Sequence, residues 1–274
     1  MKFLIPLLLA TVLLTVSCRH NSRQSSTSTA TDTLTGTSTA DTATPPQPAK
    51  SRTARQLDSL GYLNIAEADS TIAIDLMYSR ADNFTGQVLY TDLREAYLHP
   101  DALKCLLQAQ QLLRQEHPAY RLIVYDAARP LSVQQKMWDT VKGTPQQNYV
   151  SNPAHGGGLH NYGLAVDVSI LDADGQPLDM GTPVDHLGPE ANIGQETQLV
   201  SQGKLTEDAR QNRLLLRHVM RQAGFRALPS EWWHFNLVSR QTARNHYPVI
   251  PYACPCHHPA TPHSSPRQSA LVGK

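Results

Sequence analysis

The sequence predicts an α+β fold, a single domain with a small, mostly antiparallel sheet and flanking helices. Two observations carry this. Between about residues 52 and 252, segments with the two-residue period of strands alternate with segments of helical period, joined by short turns and without any internal repeat. The ends of the 274-residue chain are unlike that middle in composition, so the folded part is shorter than the chain and one domain accounts for it.

Taken in order, residues 1–17 have a positive start followed by an apolar run too short for a comfortable membrane span, and are expected to be an export signal. Cys18 follows at once. The Thr15-Val16-Ser17-Cys18 junction resembles the lipobox of bacterial lipoproteins, in which the cysteine becomes the lipidated first residue. An ordinary cleaved signal with an incidental cysteine is the alternative. Residues 18–50 are rich in Ser, Thr, Ala, Asp and Pro with almost nothing to bury, which predicts a disordered tether. The domain is expected over 51–252, and a disordered tail over 253–274.

Within the domain, Thr71 to Met77 alternates as a half-buried strand does. His99 to Arg114 has the pattern of an amphipathic helix, with Pro100 suited to its first turn. Leu122 to Tyr125 reads as a short buried strand that delivers Asp126-Ala-Ala-Arg129-Pro130 at its end, and Ser132 is placed to cap a following helix. Ala165 to Ile170 alternates again, with Val166, Val168 and Ile170 on one face. A strand there aims Asp167 away from the apolar face, into a cleft. Thr206 opens a helix that Gly224 closes. Finally, the three-residue step from Glu231 to His234 suits one side of a helical turn, so something other than a plain strand is expected at Glu231.

The formal charge of +1 and a pI near 7.8 exclude the strong basic field of a nucleic-acid binder and favour a small substrate. Of the four cysteines, Cys18 lies at the signal junction, Cys105 stands alone in a helical pattern, and Cys254 and Cys256 lie in the tail. No disulfide framework emerges. Cys254, Cys256, His257, His258 and His263 are soft metal ligands, but four prolines between 251 and 262 argue against a preformed cage, and the tail is left out of the site.

Three segments far apart carry chemistry: Asp126 to Pro130, His160 to Asp167, and Glu231 to His234. His160, Asp167 and His234 supply two imidazoles and one carboxylate, a sufficient protein set for one catalytic zinc that keeps a position open for water. Glu231 is the candidate carboxylate to take that water's proton and return it to the leaving amine. Arg129, with a permanent charge and a planar fork of donors, is the candidate to stabilise the oxyanion. Each motif alone has a plainer reading: the Asp126 to Arg129 turn can be a structural ion pair, Trp232 and Trp233 can be wall and core, and His155, His186 and His218 receive no role. Their joint occurrence, each at the edge of an element, favours the site. Loss of Glu231 or Arg129 is expected to remove activity without unfolding the domain.

At these residues, over roughly 60 to 250, the chain resembles the M15 family of zinc peptidases, specifically its VanX-type D-alanyl-D-alanine dipeptidases. Asp75-Leu-Met-Tyr-Ser-Arg-Ala-Asp-Asn-Phe-Thr-Gly86 and Met180-Gly-Thr-Pro-Val-Asp185 are similar to two further blocks of that family. The resemblance implies that His160, Asp167 and His234 bind zinc, that Glu231 is the base and that Arg129 steadies the transition state. It also implies that Asp185 receives the free ammonium of a dipeptide. The chain departs from the family's pattern at Gly157-Gly158-Leu159, before the first histidine, and at Asn161-Tyr162 after it.

Three functions follow as expectations. The first is an exported, lipid-anchored zinc dipeptidase acting on D-alanyl-D-alanine or a related dipeptide. The second keeps the metal and acts on peptidoglycan stems, as a D,D- or L,D-carboxypeptidase or endopeptidase, if Gly156 to Gly158 open the cleft. The third is a non-catalytic cell-wall-binding lipoprotein, which the presence of a base and three ligands disfavours. The expected address is the cell envelope, with the membrane contacted through the anchor alone, and the sequence carries no signal for an oligomeric state.

Overall fold

The structure is a computed structural model that describes residues 49–251. The expected signal, Cys18, the tether up to residue 48 and the tail with Cys254 and Cys256 lie outside the described residues. In chain order the elements are α1 (Arg52–Ser59), β1 (Leu63–Asn64), α2 (Ile65–Ala68), β2 (Ala73–Ile74), β3 (Tyr97–Leu98), α3 (Pro100–Glu116) and β4 (Arg121–Asp126). There follow α4 (Leu131–Val141), β5 (Ala165–Leu171), α5 (Glu196–Ser201), α6 (Glu207–Gln222), β6 (Arg226–Leu228), β7 (Glu231–Asn236) and α7 (Arg240–His246).

Five strands form one sheet in the order β2-β4-β5-β7-β6. The β2–β4 pair is parallel and the other three are antiparallel, as an α+β domain with a small, mostly antiparallel sheet requires. β1 and β3 make a separate antiparallel ribbon. The helices form where the sequence places both a cap and a stripe. In α3, the His99 ring accepts from the Asp101 amide, Pro100 occupies a position that needs no donor, and Ala102, Leu103, Leu106, Ala109 and Leu113 are buried on one face. In α6, the Thr206 hydroxyl accepts from the Ala209 amide, and Ala209, Leu216, Val219 and Met220 face inward. These two helices pack on each other and against β4 and β6.

Two expectations change. The strand expected over 71–77 shrinks to Ala73–Ile74 because polar side chains hold turns on either side of it. Asp69 accepts from both the amide and the hydroxyl of Thr71, and Ser79 donates back to the Leu76 carbonyl. The helix after Arg129 starts at Leu131, one residue before Ser132. Pro130 fills the capping position with φ −59°, and its carbonyl accepts from Val133 and Gln134. β5 forms as expected, as the middle strand of the sheet with all seven residues buried, and Asp167 lines a cavity.

At Glu231 the chain is extended, but its pairing is irregular. Ala227 opposes Phe235 while Leu228 opposes Glu231, so the ladder between β6 and β7 breaks across Trp232 to His234. That irregularity takes the place of the helical turn that the three-residue step suggested.

Candidate functional site

Asp126 ends β4 directly opposite Asp167 of β5, across a register shift that follows Val124. A fully buried aspartate is tolerable only when its oxygens are bonded, and Asp126 is held on both sides. The Tyr90 hydroxyl donates to Oδ1, and Arg129 donates to Oδ2 from Nε at 2.8 Å and also from Nη2. Arg129 in turn donates from Nη1 to Gln134 Oε1 at 2.9 Å, and its guanidinium lies 5.2 Å from the centre of the Tyr78 ring. Its backbone is locked to the segment after it, with its amide on the His160 carbonyl and its carbonyl accepting from Asn161. Three of its five N–H donors are thus committed, and one remains on each terminal nitrogen. Burial weakens the charge of Arg129, but Asp126, Tyr78, Tyr90 and Asp167 together more than offset this, and the net effect holds its proton more tightly than usual.

His160 sits in a 3-10 turn, Leu159–Tyr162, that closes on Gly163 at φ 63°. A side chain there would collide with Tyr62, since a Cβ would lie 2.5 Å from Cε1, so the turn that joins His160 to β5 needs glycine. His160 Nδ1 donates to the Ala127 carbonyl at 2.7 Å, because a carbonyl can only accept, and this leaves Nε2 with its lone pair. His234, paired across the ladder with Asp167, directs Nε2 to Asn236 Oδ1 at 2.9 Å and turns Nδ1 inward. His160 Nε2 and His234 Nδ1 lie 3.1 Å apart, and Asp167 reaches both, at 3.3 and 2.9 Å. The three donor atoms all fall within 4.8 Å of one another. Two imidazole lone pairs and a carboxylate meeting at one point, each imidazole oriented by an oxygen on its far side, fit a metal ion. Burial disfavours the charge of Asp167, but His160 and His234 outweigh it and hold its carboxyl well below the usual carboxylate range.

Glu231 lies beside this group, with Oε2 3.9 Å from His234 Nδ1. Burial pushes its carboxyl up to about 7, with Asp167 and Asp185 adding to the rise and His234 and Arg129 opposing it. Asp185 is recessed in the wall of the same cavity and accepts from the Tyr78 hydroxyl at 2.7 Å. Burial, reinforced by Asp167, raises it to about 7 as well. Among the described residues Asp185 is the one non-glycine with a left-handed backbone, at φ 63°. Such a conformation persists only when the surroundings fix it. Here the loop is braced: Arg213 donates to the carbonyls of Met180 and Glu190 at 2.7 and 3.0 Å, and Trp232 Nε1 donates to Thr182 Oγ1 at 2.8 Å.

These groups line a cavity of about 100 Å³, well below the ~300–1,000 Å³ of sites for drug-sized ligands. The structure therefore brings together Arg129, His160, Asp167, Asp185, Glu231 and His234, all six candidates that fall within the described residues. Sequence reasoning missed Tyr78, Tyr90 and Gln134, which orient Asp185, Asp126 and Arg129. Tyr78 lay inside a block already singled out, whereas nothing local to Tyr90 or Gln134 signals its bond.

The comparisons define the class as a hydrolase of the peptidase type. Residues 58–251 match the peptidase M15 family model described as D-ala-D-ala dipeptidase. The chain is similar to the D-alanyl-D-alanine dipeptidase of Escherichia coli K12, at 31% identity over 76% of this chain and 99% of that protein. It is similar to that of Synechocystis at 31% identity over 51% of this chain and 68% of the relative, and to that of Enterococcus faecalis at 23% over 65% and 92%. The chain belongs to the M15 family of D-Ala-D-Ala dipeptidases.

Proposed function

We propose that the chain is an exported zinc dipeptidase that hydrolyses D-alanyl-D-alanine or a closely related dipeptide. The observation that carries this is the meeting of the lone pairs of His160 Nε2 and His234 Nδ1 with the Asp167 carboxylate, next to Glu231 and Arg129, in a cavity of about 100 Å³. Zinc held by these three residues supplies a Lewis acid for the scissile carbonyl and a more acidic water. Glu231, whose proton affinity is tuned to neutrality by burial, is suited to receive a proton and pass it to the leaving amine. Arg129 directs its two uncommitted donors to the oxyanion and does not wander, because Asp126 and Gln134 hold the rest of the fork. Asp185, oriented by Tyr78, receives the ammonium of the substrate. The small cavity favours a dipeptide over peptidoglycan stems.

The family match supports the peptidase class, and the names of the relatives support the dipeptide. The export signal over 1–17 and lipidation of Cys18 rest on the sequence and would place the enzyme in the cell envelope. Fatty-acid labelling that persists in Cys18→Ala would refute the anchor. For the activity, the purified chain is incubated with zinc and either D-alanyl-D-alanine or the L,L dipeptide, with Glu231→Gln as control. Release of D-alanine confined to the D,D substrate and lost in the variant supports the reading. Turnover of neither dipeptide by zinc-loaded protein overturns it.

A further inference from the structure

We propose that Arg240 is the subsite for the terminal carboxylate of the substrate, which makes the enzyme selective for dipeptides with a free C-terminus. The inference rests on the dipeptidase reading above. A free dipeptide carries an ammonium at one end and a carboxylate at the other, so a cavity that recognises it needs a cation as well as Asp185. Two arginines line the cavity, Arg129 and Arg240. Arg129 already has its charge matched by Asp126, and Asp167 lies 3.8 Å from its Nη2.

Arg240, the first residue of α7, is different. Among the described residues it enters no ion pair, and its Nη2 donates at 3.0 Å to the Ser151 hydroxyl. A neutral acceptor fixes the direction of a guanidinium without cancelling its charge, and leaves the rest of its planar fork for a second partner. A carboxylate matches that fork.

The wall that aims Arg240 is itself fixed. The Ser151 carbonyl accepts from Gln134 Nε2 at 2.8 Å, so Gln134 touches both Arg129 and the segment that orients Arg240. Glycine at 158 leaves room for Ser151, since a Cβ there would lie 3.1 Å from its Oγ. One turn further along α7, Arg244 donates to the His155 carbonyl at 2.6 Å and pins the other end of the same segment. Asp185 belongs to a separate wall, set by Tyr78, Arg213 and Trp232. The two charges of the ligand thus meet two independently braced walls, with the metal-ligand group and Glu231 in the same cavity.

A carboxylate is present in both the ground state and the transition state, so its recognition is uniform binding and should appear in KM rather than kcat. The test compares D-alanyl-D-alanine with D-alanyl-D-alaninamide, which has nearly the same shape and no terminal charge, on wild type, Arg240→Ala and Arg240→Lys. Wild type is expected to prefer the acid through KM. Arg240→Ala should raise KM for the acid by up to about fivefold, the size expected for one exposed ion pair, and bring the ratio of the two KM values close to one. Arg240→Lys should fall between them. An acid-over-amide preference that survives in Arg240→Ala overturns the inference and leaves the dipeptidase reading standing. An equal loss of kcat on both substrates also overturns it, because that is what a merely loosened wall would do. Failure of wild type to turn over either compound overturns the dipeptidase reading, and this inference with it.

Discussion

Replacing Glu231 with Gln should stabilise the metal-free chain while abolishing its activity, and the gain should depend on pH in a definite way. Glu231 is 8% exposed, and burial in the company of Asp167 and Asp185 lifts its carboxyl from an ordinary 4.5 to about 7. At about 1.4 kcal/mol per tenfold change in proton affinity, holding this group ionised in the fold costs about 3 kcal/mol. Its folded-state proton affinity is raised, so the cost is absent below pH 4.5, where the group is protonated in both states. The cost grows between 4.5 and 7 and is complete above 7. Glutamine has nearly the same shape and no charge to desolvate. Urea unfolding of wild type and Glu231→Gln in the presence of a chelator should therefore give equal stabilities near pH 4. Near pH 8 the variant should be more stable by up to about 3 kcal/mol, with a loss of at least about 10²-fold in kcat when zinc is restored. A stability difference that stays constant from pH 4 to 8, or a variant less stable than wild type at pH 8, would refute the argument that burial tunes this carboxylate.

Arg129→Ala should destabilise the chain by about 3–5 kcal/mol in denaturant unfolding, because Asp126 is fully buried and would lose its guanidinium partner, keeping the Tyr90 hydroxyl and His160 Nδ1 at 3.6 Å. Arg129→Lys keeps a charge but not the fork, and should lower kcat about 10²–10³-fold. Zinc at about 100 times its dissociation constant should stabilise the metal-free chain by about 2.7 kcal/mol, read as a rise in melting temperature that Asp167→Ala abolishes. Gly163→Ala should cost more than the ~1–2 kcal/mol of a left-handed alanine, since its Cβ would also meet Tyr62 Cε1 at 2.5 Å; a smaller loss in urea unfolding would count against a fixed turn before β5.

What the sequence made legible was local, and what it hid was not. α3 was readable from its apolar stripe and Pro100, and α6 from the capping Thr206 and the closing Gly224, signals that each lie within one short stretch. The end of β2 was not, because Asp69 and Ser79 bond to their own neighbourhood and override the alternation between them. Alternation predicted β5, but not that both of its faces are covered. Period two tells which residues share a face, and whether that face is covered depends on what packs there from elsewhere in the chain. His160, Asp167, His234 and Glu231, which the fold brings together, were legible by chemical type and order. The residues that aim Asp185, Asp126 and Arg129 were not, since Tyr78, Tyr90 and Gln134 act through individual side-chain hydrogen bonds and leave no periodic trace.

The charges of the site give the proposed substrate a physical rationale. Four carboxylates surround the cavity or border it, on Asp126, Asp167, Asp185 and Glu231, and Arg129 cancels that of Asp126. Three negative charges remain at close quarters, and their mutual repulsion is part of why Glu231 and Asp185 both rise to about 7. A divalent cation among His160, Asp167 and His234, together with one ammonium at Asp185, supplies three positive charges in return. Arg240 then carries a positive charge with no carboxylate of the described residues beside it, and the carboxylate at the far end of a dipeptide completes the balance. An N-blocked peptide would lack the ammonium, and a C-terminally extended one would lack the carboxylate on its second residue. A free dipeptide satisfies both terms, which is how a cavity this small can discriminate without reading a long side chain.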